Sequence, residues 1–132
     1  MTSTEIQILK GFHAFSEGDF AQAKTVFSAF STAELYDLKI GLLLSESLAQ
    51  LGEADKALRV VEDLAKLGRN SDLLIQQGRL NEVYKFAPVP ALEAYHQALK
   101  LAKDPDQKDW LERKTEYLKV NFKVGSNVTS GG

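Results

Sequence analysis

The sequence predicts an all-α protein in which three similar helix pairs stack and a last helix covers the end of the stack. Apolar residues recur three or four positions apart through most of its 132 residues, as they do along one face of a helix. A skeleton of one small and one bulky apolar residue also returns every 34 residues, and a constant period of this length is typical of stacked repeats. The content of 44% hydrophobic and 26% charged residues is that of one globular domain.

The skeleton consists of a glycine, an alanine five positions later and a bulky apolar residue four positions after that. In the third copy Phe86 takes the place of the glycine. A small residue lets two antiparallel helices approach closely, and the bulky residue one turn further fills the space toward the neighbouring helix. We therefore expect the alanines and the bulky residues to be packed in the interior. The three copies are Gly18, Ala23 and Phe27; Gly52, Ala57 and Val61; and Phe86, Ala91 and Tyr95.

In the first half of the chain, Thr2 and Glu5 have the spacing of a capping box, which predicts a first helix that ends near Ser16. The third helix is the most apolar, and its leucines are distributed around it, which indicates burial on several sides. Gly68 is suited to end the fourth helix. The second, third and fourth helices are predicted from about Phe20 to Phe30, from Ala33 or Leu35 to Leu51, and from Ala54 to Leu67.

In the second half, Ser71 and Asp72 offer an N-cap for a fifth helix, and the prolines at 88 and 90 separate it from a sixth. Asp104 and Pro105 have the pattern that begins a seventh. Val120, Phe122 and Val124 alternate with polar residues, which also suits a short strand, but such a strand has no evident pairing partner. The fifth, sixth and seventh helices are predicted at about 73–85, 91–103 and 105–123, before a flexible tail at 125–132.

On this skeleton the chain resembles the tetratricopeptide repeat family, with repeats at about 4–37, 38–71 and 72–105 and a capping helix at about 105–123. The resemblance implies a right-handed superhelix of three helix pairs with a C-terminal capping helix, and a concave groove lined by the first helix of each pair. Lys10 and Glu82 stand where the family has apolar residues, and Arg79 where it has a small one. Either these first helices are rotated, or the end repeats are atypical.

The resemblance also implies which residues line the groove. They are mainly apolar, which suits an amphipathic helix or an extended segment with apolar anchors. Relatives that bind C-terminal carboxylates have Lys and Asn where this chain has Ile8, Phe12 and Glu46, so acidic tails are disfavoured. An apolar stripe at helical spacing is also what core residues show, and the sequence leaves groove and core open. The implied groove residues are Glu5, Ile8, Phe12, Phe15, Lys39, Leu42, Glu46, Ala49, Leu73, Gln76, Leu80, Val83 and Tyr84.

Composition argues against several classes of function. The formal charge of −2 gives no general attraction to nucleic acid or anionic lipid. There are no cysteines, and no apolar run is long enough to span a bilayer. His13 and His96 lack partners at metal-ligand spacing, and Trp110 is expected to anchor the capping helix. We expect a cytoplasmic protein without a metal or cofactor.

The sequence also contains no grouping of residues typical of catalysis. The resulting prediction is a non-enzymatic scaffold or adaptor that binds a helix or apolar segment of a partner protein in the groove. Two alternatives remain open. One is a structural subunit that associates with copies of itself, and the other is a small bacterial chaperone that holds an export substrate for a secretion system.

Overall fold

The computed structural model describes residues 1–30 and 38–122, and it confirms the all-α prediction over these two ranges. They contain seven α-helices and one π-helical turn, and no strand. The predicted start of the third helix, Val124 and the predicted tail at 125–132 lie outside the described residues. The helices are α1 (Ser3–Ser16), α2 (Phe20–Ser28), α3 (Leu38–Gln50), α4 (Ala54–Leu67), α5 (Ser71–Arg79), the π turn (Leu80–Tyr84), α6 (Pro88–Leu101) and α7 (Pro105–Phe122).

The chain divides into two compact units between Leu64 and Ala65, within the last turn of α4. In the first unit α2 packs against both α1 and α3, and in the second α6 packs against both α5 and α7. Each unit therefore has its own set of packed helices.

Most helix ends follow their predicted signals. The Thr2 side chain accepts a hydrogen bond from the backbone N–H of Glu5, as the capping box predicts. The N-cap of α5 is Asn70, whose side chain accepts from the N–H of Leu73, so the prediction of Ser71 or Asp72 is wrong.

Two predictions for the second half of the chain are corrected. Helix α6 begins at Pro88, three residues before its predicted start, because a proline at the first helical position needs no hydrogen-bond donor. Helix α7 continues to Phe122, so the alternative of a strand is wrong over Val120 and Phe122.

The alanines and the bulky residues of the 34-residue skeleton lie in the interior, as predicted. All three alanines and all three bulky residues have 0% of their surface exposed. In the first unit a methyl group on Gly11 would lie 2.7 Å from the Phe27 ring, and in the second a methyl group on Gly78 would lie 2.6 Å from the Tyr95 ring. Each aromatic ring of the skeleton therefore packs on a glycine of the preceding helix. The six buried residues are Ala23, Phe27, Ala57, Val61, Ala91 and Tyr95.

The turn between the two helices of a repeat has a left-handed residue at the same position each time. Gly18 has φ +79° and Gly52 has φ +83°, which glycine adopts without steric cost. The N–H groups of Asp19 and Glu53 then bond to carbonyls five residues back, each at 2.8 Å, as is typical of glycine-ended helices. Phe86 keeps this conformation in the third repeat with φ +52°, although it is not a glycine.

The third repeat contains one extra residue in its first helix. The N–H of Ala87 bonds at 2.8 Å to the carbonyl of Asn81, six residues back rather than five. The N–H of Lys85 bonds at 3.1 Å to the carbonyl of Leu80, five residues back, which is the π-helical pattern. The π turn thus accommodates one residue, and α5 is displaced by one position relative to α1 and α3.

This displacement explains why the third repeat departs from the family pattern. Arg79 is the residue 34 positions after Ser45, but Gly78 is the residue that packs on Tyr95. The first helix of this repeat is therefore rotated, which is one of the two readings that the sequence left open.

Candidate partner-binding surfaces

Once the extra residue is taken into account, α1, α3 and α5 present three sets of corresponding positions. Residues of the first set are exposed in all three helices, and residues of the other two sets are half-buried in all three. The same backbone position is therefore covered to a similar degree in each repeat. The sets are Glu5, Lys39 and Asp72; Ile8, Leu42 and Ile75; and Phe12, Glu46 and Arg79.

In the first unit, the structure brings the predicted residues Phe12 and Lys39 together. The Phe12 ring packs on the buried Phe27 ring with centroids 5.7 Å apart. The ammonium group of Lys39 lies 5.2 Å from the centroid of the Phe12 ring, a favourable cation–π distance. Phe12 therefore contacts both the buried Phe27 ring and the exposed ammonium group of Lys39.

Four of the other predicted residues of α1 and α3 are half-buried, namely Ile8, Phe15, Leu42 and Glu46, and Glu5 is exposed. Ala49 has 2% of its surface exposed and lies in the core, so its assignment to the groove is wrong. Phe15 packs edge-on against Phe20, with ring centroids 5.4 Å apart. The Glu46 carboxylate accepts a hydrogen bond of 2.9 Å from the Gln50 side chain. Leu42 shares the half-buried exposure of Ile8, so both present part of an aliphatic side chain to solvent. Apart from Ala49, the predicted residues of the first unit are at least partly accessible.

In the second unit, two of the predicted groove residues belong to the core. Leu73 has 2% and Leu80 has 0% of its surface exposed. Both residues therefore lie in the core and not in a groove. The one-residue displacement of α5 is the reason, because it turns the positions 34 residues after Lys39 and Glu46 inward.

The displacement puts Asp72, Ile75 and Arg79 at the positions that correspond to Lys39, Leu42 and Glu46. Sequence reasoning missed these residues, because the extra residue leaves the spacing of Ala23, Ala57 and Ala91 unchanged. The sequence did contain one sign of the displacement. The repeat pattern expects a small residue at the position of Arg79, and Gly78 lies one position before it.

Arg79 contacts two of the three remaining predicted residues of this unit, and the third, Val83, is 47% exposed. Its Nε donates a hydrogen bond of 3.4 Å to the side-chain oxygen of Gln76. Its guanidinium group lies 5.7 Å from the centroid of the Tyr84 ring. Gln76, Arg79 and Tyr84 thus form a half-buried cluster in which a cation packs against an aromatic ring, as Lys39 packs against Phe12 in the first unit.

Sequence reasoning also missed a polar network that joins Tyr95, Glu82 and Lys114. The Tyr95 hydroxyl donates a hydrogen bond of 2.8 Å to Glu82, and Lys114 donates one of 3.1 Å to the other oxygen of the same carboxylate. Burial and the Glu82 carboxylate both raise the pKa of Tyr95, which keeps its hydroxyl protonated as the donor. Trp110 of α7 packs edge-on against Tyr95 at 5.7 Å, as an anchor of the capping helix is expected to do.

No group of three or more His, Asp and Glu side chains within residues 1–30 and 38–122 is placed to hold a metal ion. Burial lowers the pKa of His96, and Lys119 and Lys100 lower it further. Its Nε2 atom has no hydrogen-bond partner in the described part of the chain.

Comparisons with known proteins found no match: no family model, curated protein or solved structure matches this chain. Over the two described ranges, no helix is both long enough and apolar enough to cross a membrane.

Proposed function

We propose that this chain is a non-enzymatic scaffold of tetratricopeptide-like repeats that binds a segment of a partner protein through the first helices of its repeats. The observation that carries the proposal is the set of three half-buried aliphatic residues Ile8, Leu42 and Ile75. They occupy corresponding positions of α1, α3 and α5, and their side chains are accessible in part. A repeated, partly exposed aliphatic position is a surface on which apolar anchors of a partner can be buried.

The charged residues beside this set favour a partner of mixed character. Lys39 and Arg79 each cover an aromatic ring, while Glu46 adds a carboxylate at the position that corresponds to Phe12. An amphipathic helix or an extended segment with aliphatic anchors and both signs of charge fits these surfaces. The right-handed superhelix and the cytoplasmic location are parts of the same proposal.

The expected affinity for a short segment is low. Three apolar anchors contribute about 1.5 to 3 kcal/mol each when fully buried, whereas association costs about 4 to 15 kcal/mol. A short peptide would thus bind weakly, and tight binding requires a partner that covers more surface or is folded in advance.

The proposal is tested by affinity capture with the intact chain, read by mass spectrometry. The test variant combines Ile8→Glu and Ile75→Glu, and the control combines Ala21→Glu and Gln97→Glu, which add the same charges at exposed positions of α2 and α6. Circular dichroism establishes that both variants are folded. We expect the control to capture the same proteins as the unmodified chain and the test variant to lose them. A folded test variant with unchanged capture would contradict the proposed surface.

A further inference from the structure

Helix α7 continues the series of first helices with which the repeats begin. Three of its residues stand two repeat lengths after the α3 members of the three sets of corresponding positions. Helix α7 also packs on α6, as α3 packs on α2. Thr115 lies two repeat lengths after Ser47, and both are buried, so the register of the repeats extends to α7. The three α7 residues are Gln107, Trp110 and Lys114.

Two hydrogen bonds join α7 to the first helix of the third repeat. The Gln107 side chain donates one of 3.2 Å to Asp72, its counterpart in α5. Lys114 donates one of 3.1 Å to Glu82, in the π turn that follows α5. The first bond joins the first turns of both helices, and the second joins later residues of both. Helices α5 and α7 therefore lie side by side within the second unit and run in the same direction.

Ile75 and Trp110 come between these two bonds along their helices, and both belong to the aliphatic set of positions. Ile75 is half-buried, and Trp110 exposes 43% of its surface. The Trp110 ring is also held in place, because it packs edge-on against the buried Tyr95 ring at 5.7 Å and has the Lys114 ammonium group 5.8 Å from its centroid. A fixed, accessible side chain loses little conformational freedom on binding, and tryptophan is enriched among the residues that dominate binding energies.

We propose that Trp110 is a further anchor position of the partner-binding surface, and that it receives an apolar side chain of an amphipathic partner helix. This inference rests on the proposed function. Because Lys114 already lies against the ring, a cation of the partner is repelled there and an apolar residue is preferred.

The spacing of the two anchor positions favours a helix over an extended segment. Neighbouring helices lie about 8 to 10 Å apart, which sets the separation of Ile75 on α5 and Trp110 on α7. Residues seven positions apart on a partner helix are about 10.5 Å apart. Residues on one face of an extended segment are about 6.7 or 13 Å apart, which fits this separation less well.

The test uses a synthetic amphipathic helix as the probe. The peptide contains no tryptophan and has leucines along one face, and a control peptide of the same composition has them distributed around the helix. Trp110 is the only tryptophan of the chain, so its fluorescence reports contact at this position. We expect the first peptide to shift the emission to shorter wavelength and to reduce acrylamide quenching, with a dissociation constant on the order of 1 mM. The control peptide should do neither.

Two variants separate binding at Trp110 from other effects. Trp110→Ala removes the ring, and Leu101→Ala is the matched control, since Leu101 on α6 exposes 44% of its surface. Circular dichroism establishes folding, and the amide NMR shift of Ile75 measures binding of the first peptide. We expect Trp110→Ala to weaken binding at least about tenfold and Leu101→Ala to leave it unchanged.

The inference is overturned if Trp110 emission in the unmodified chain does not respond to the first peptide, a result that requires no substitution. It is also overturned if folded Trp110→Ala binds as tightly as the unmodified chain, or if Leu101→Ala loses binding equally. Affinity capture distinguishes this failure from failure of the proposed function. Proteins that the Ile8→Glu and Ile75→Glu variant loses and Trp110→Ala keeps would remove the role of Trp110 and leave the proposed function intact.

Discussion

Each repeat has a residue with positive φ in the turn between its two helices. Substitutions at these corresponding positions are predicted to change the free energy of unfolding in opposite directions. Phe86→Gly relieves the strain of a positive φ, whereas Gly18→Ala and Gly52→Ala introduce it. A methyl group on Gly18 or Gly52 would meet no atom within 4 Å, so these substitutions change the backbone preference and not the packing. The three positions therefore form a matched set.

The magnitudes follow from two opposing contributions. The left-handed conformation costs a residue with a Cβ atom about 1 to 2 kcal/mol, and glycine adds about 0.4 to 1 kcal/mol of conformational entropy to the unfolded chain. Phe86 is 83% exposed, so little burial is lost with its ring. We therefore expect Phe86→Gly to raise the free energy of unfolding by about 0.5 to 1 kcal/mol, and Gly18→Ala to lower it by a similar amount.

The assay is equilibrium unfolding in urea, with the melting temperature as a second measurement. We expect Phe86→Gly to raise the melting temperature by about 2 to 5 °C. Phe86→Ala is the control, because it removes the ring and keeps the strained backbone, and its free energy of unfolding should stay within about 0.5 kcal/mol of the original. If Phe86→Gly is less stable than the original chain, or if Gly18→Ala is neutral, the assignment of strain to this position is wrong.

Two further predictions concern the interior. Gly78→Ala places a methyl group 2.6 Å from the Tyr95 ring and should lower the free energy of unfolding by about 1 to 3 kcal/mol through overpacking; a neutral effect would contradict the close contact. The pKa of His96 is lowered from 6.5 in the folded chain, so as the pH falls through 6.5 the unfolded chain binds a proton that the folded chain does not, and stability decreases. Urea titrations from pH 8 to 5 should show this decrease, and His96→Gln should reduce it; an equal decrease in the variant would assign it to other groups.

The repeat phase could be predicted from the sequence because it depends on side-chain size alone. Ala23, Ala57 and Ala91 are small at a constant spacing, and in the structure all three are fully buried. The helix signals at Thr2 and Pro105 are local hydrogen-bonding preferences, which short stretches of sequence contain in full. These features needed no knowledge of the packed chain.

The predicted groove residues of the third repeat were less accurate, because their directions depend on a π turn. One extra residue between Gly78 and Phe86 rotates α5 without altering the spacing of the alanines. Leu73 and Leu80 therefore lie in the core, where the uncorrected spacing had put groove residues. Sequence periodicity specifies which residues share a face, but the packed structure determines which way that face points.

The most direct test of the repeat interpretation removes a single residue. Deletion of Val83, which is 47% exposed, should convert the π turn into an ordinary helical turn, and we expect it to change the free energy of unfolding by less than about 1 kcal/mol. Deletion of the exposed Ser16 from α1, which has no extra residue, should rotate Gly11 and Ala14 by about 100° away from the Phe27 contact.

Urea unfolding of the two deletion proteins measures the difference between them. We expect the Ser16 deletion to cost about 3 kcal/mol or more, because it disrupts a packed core, and the Val83 deletion to be tolerated. Equal costs for the two deletions, or a larger cost for Val83, would contradict the claim that three equivalent repeats differ by one inserted residue.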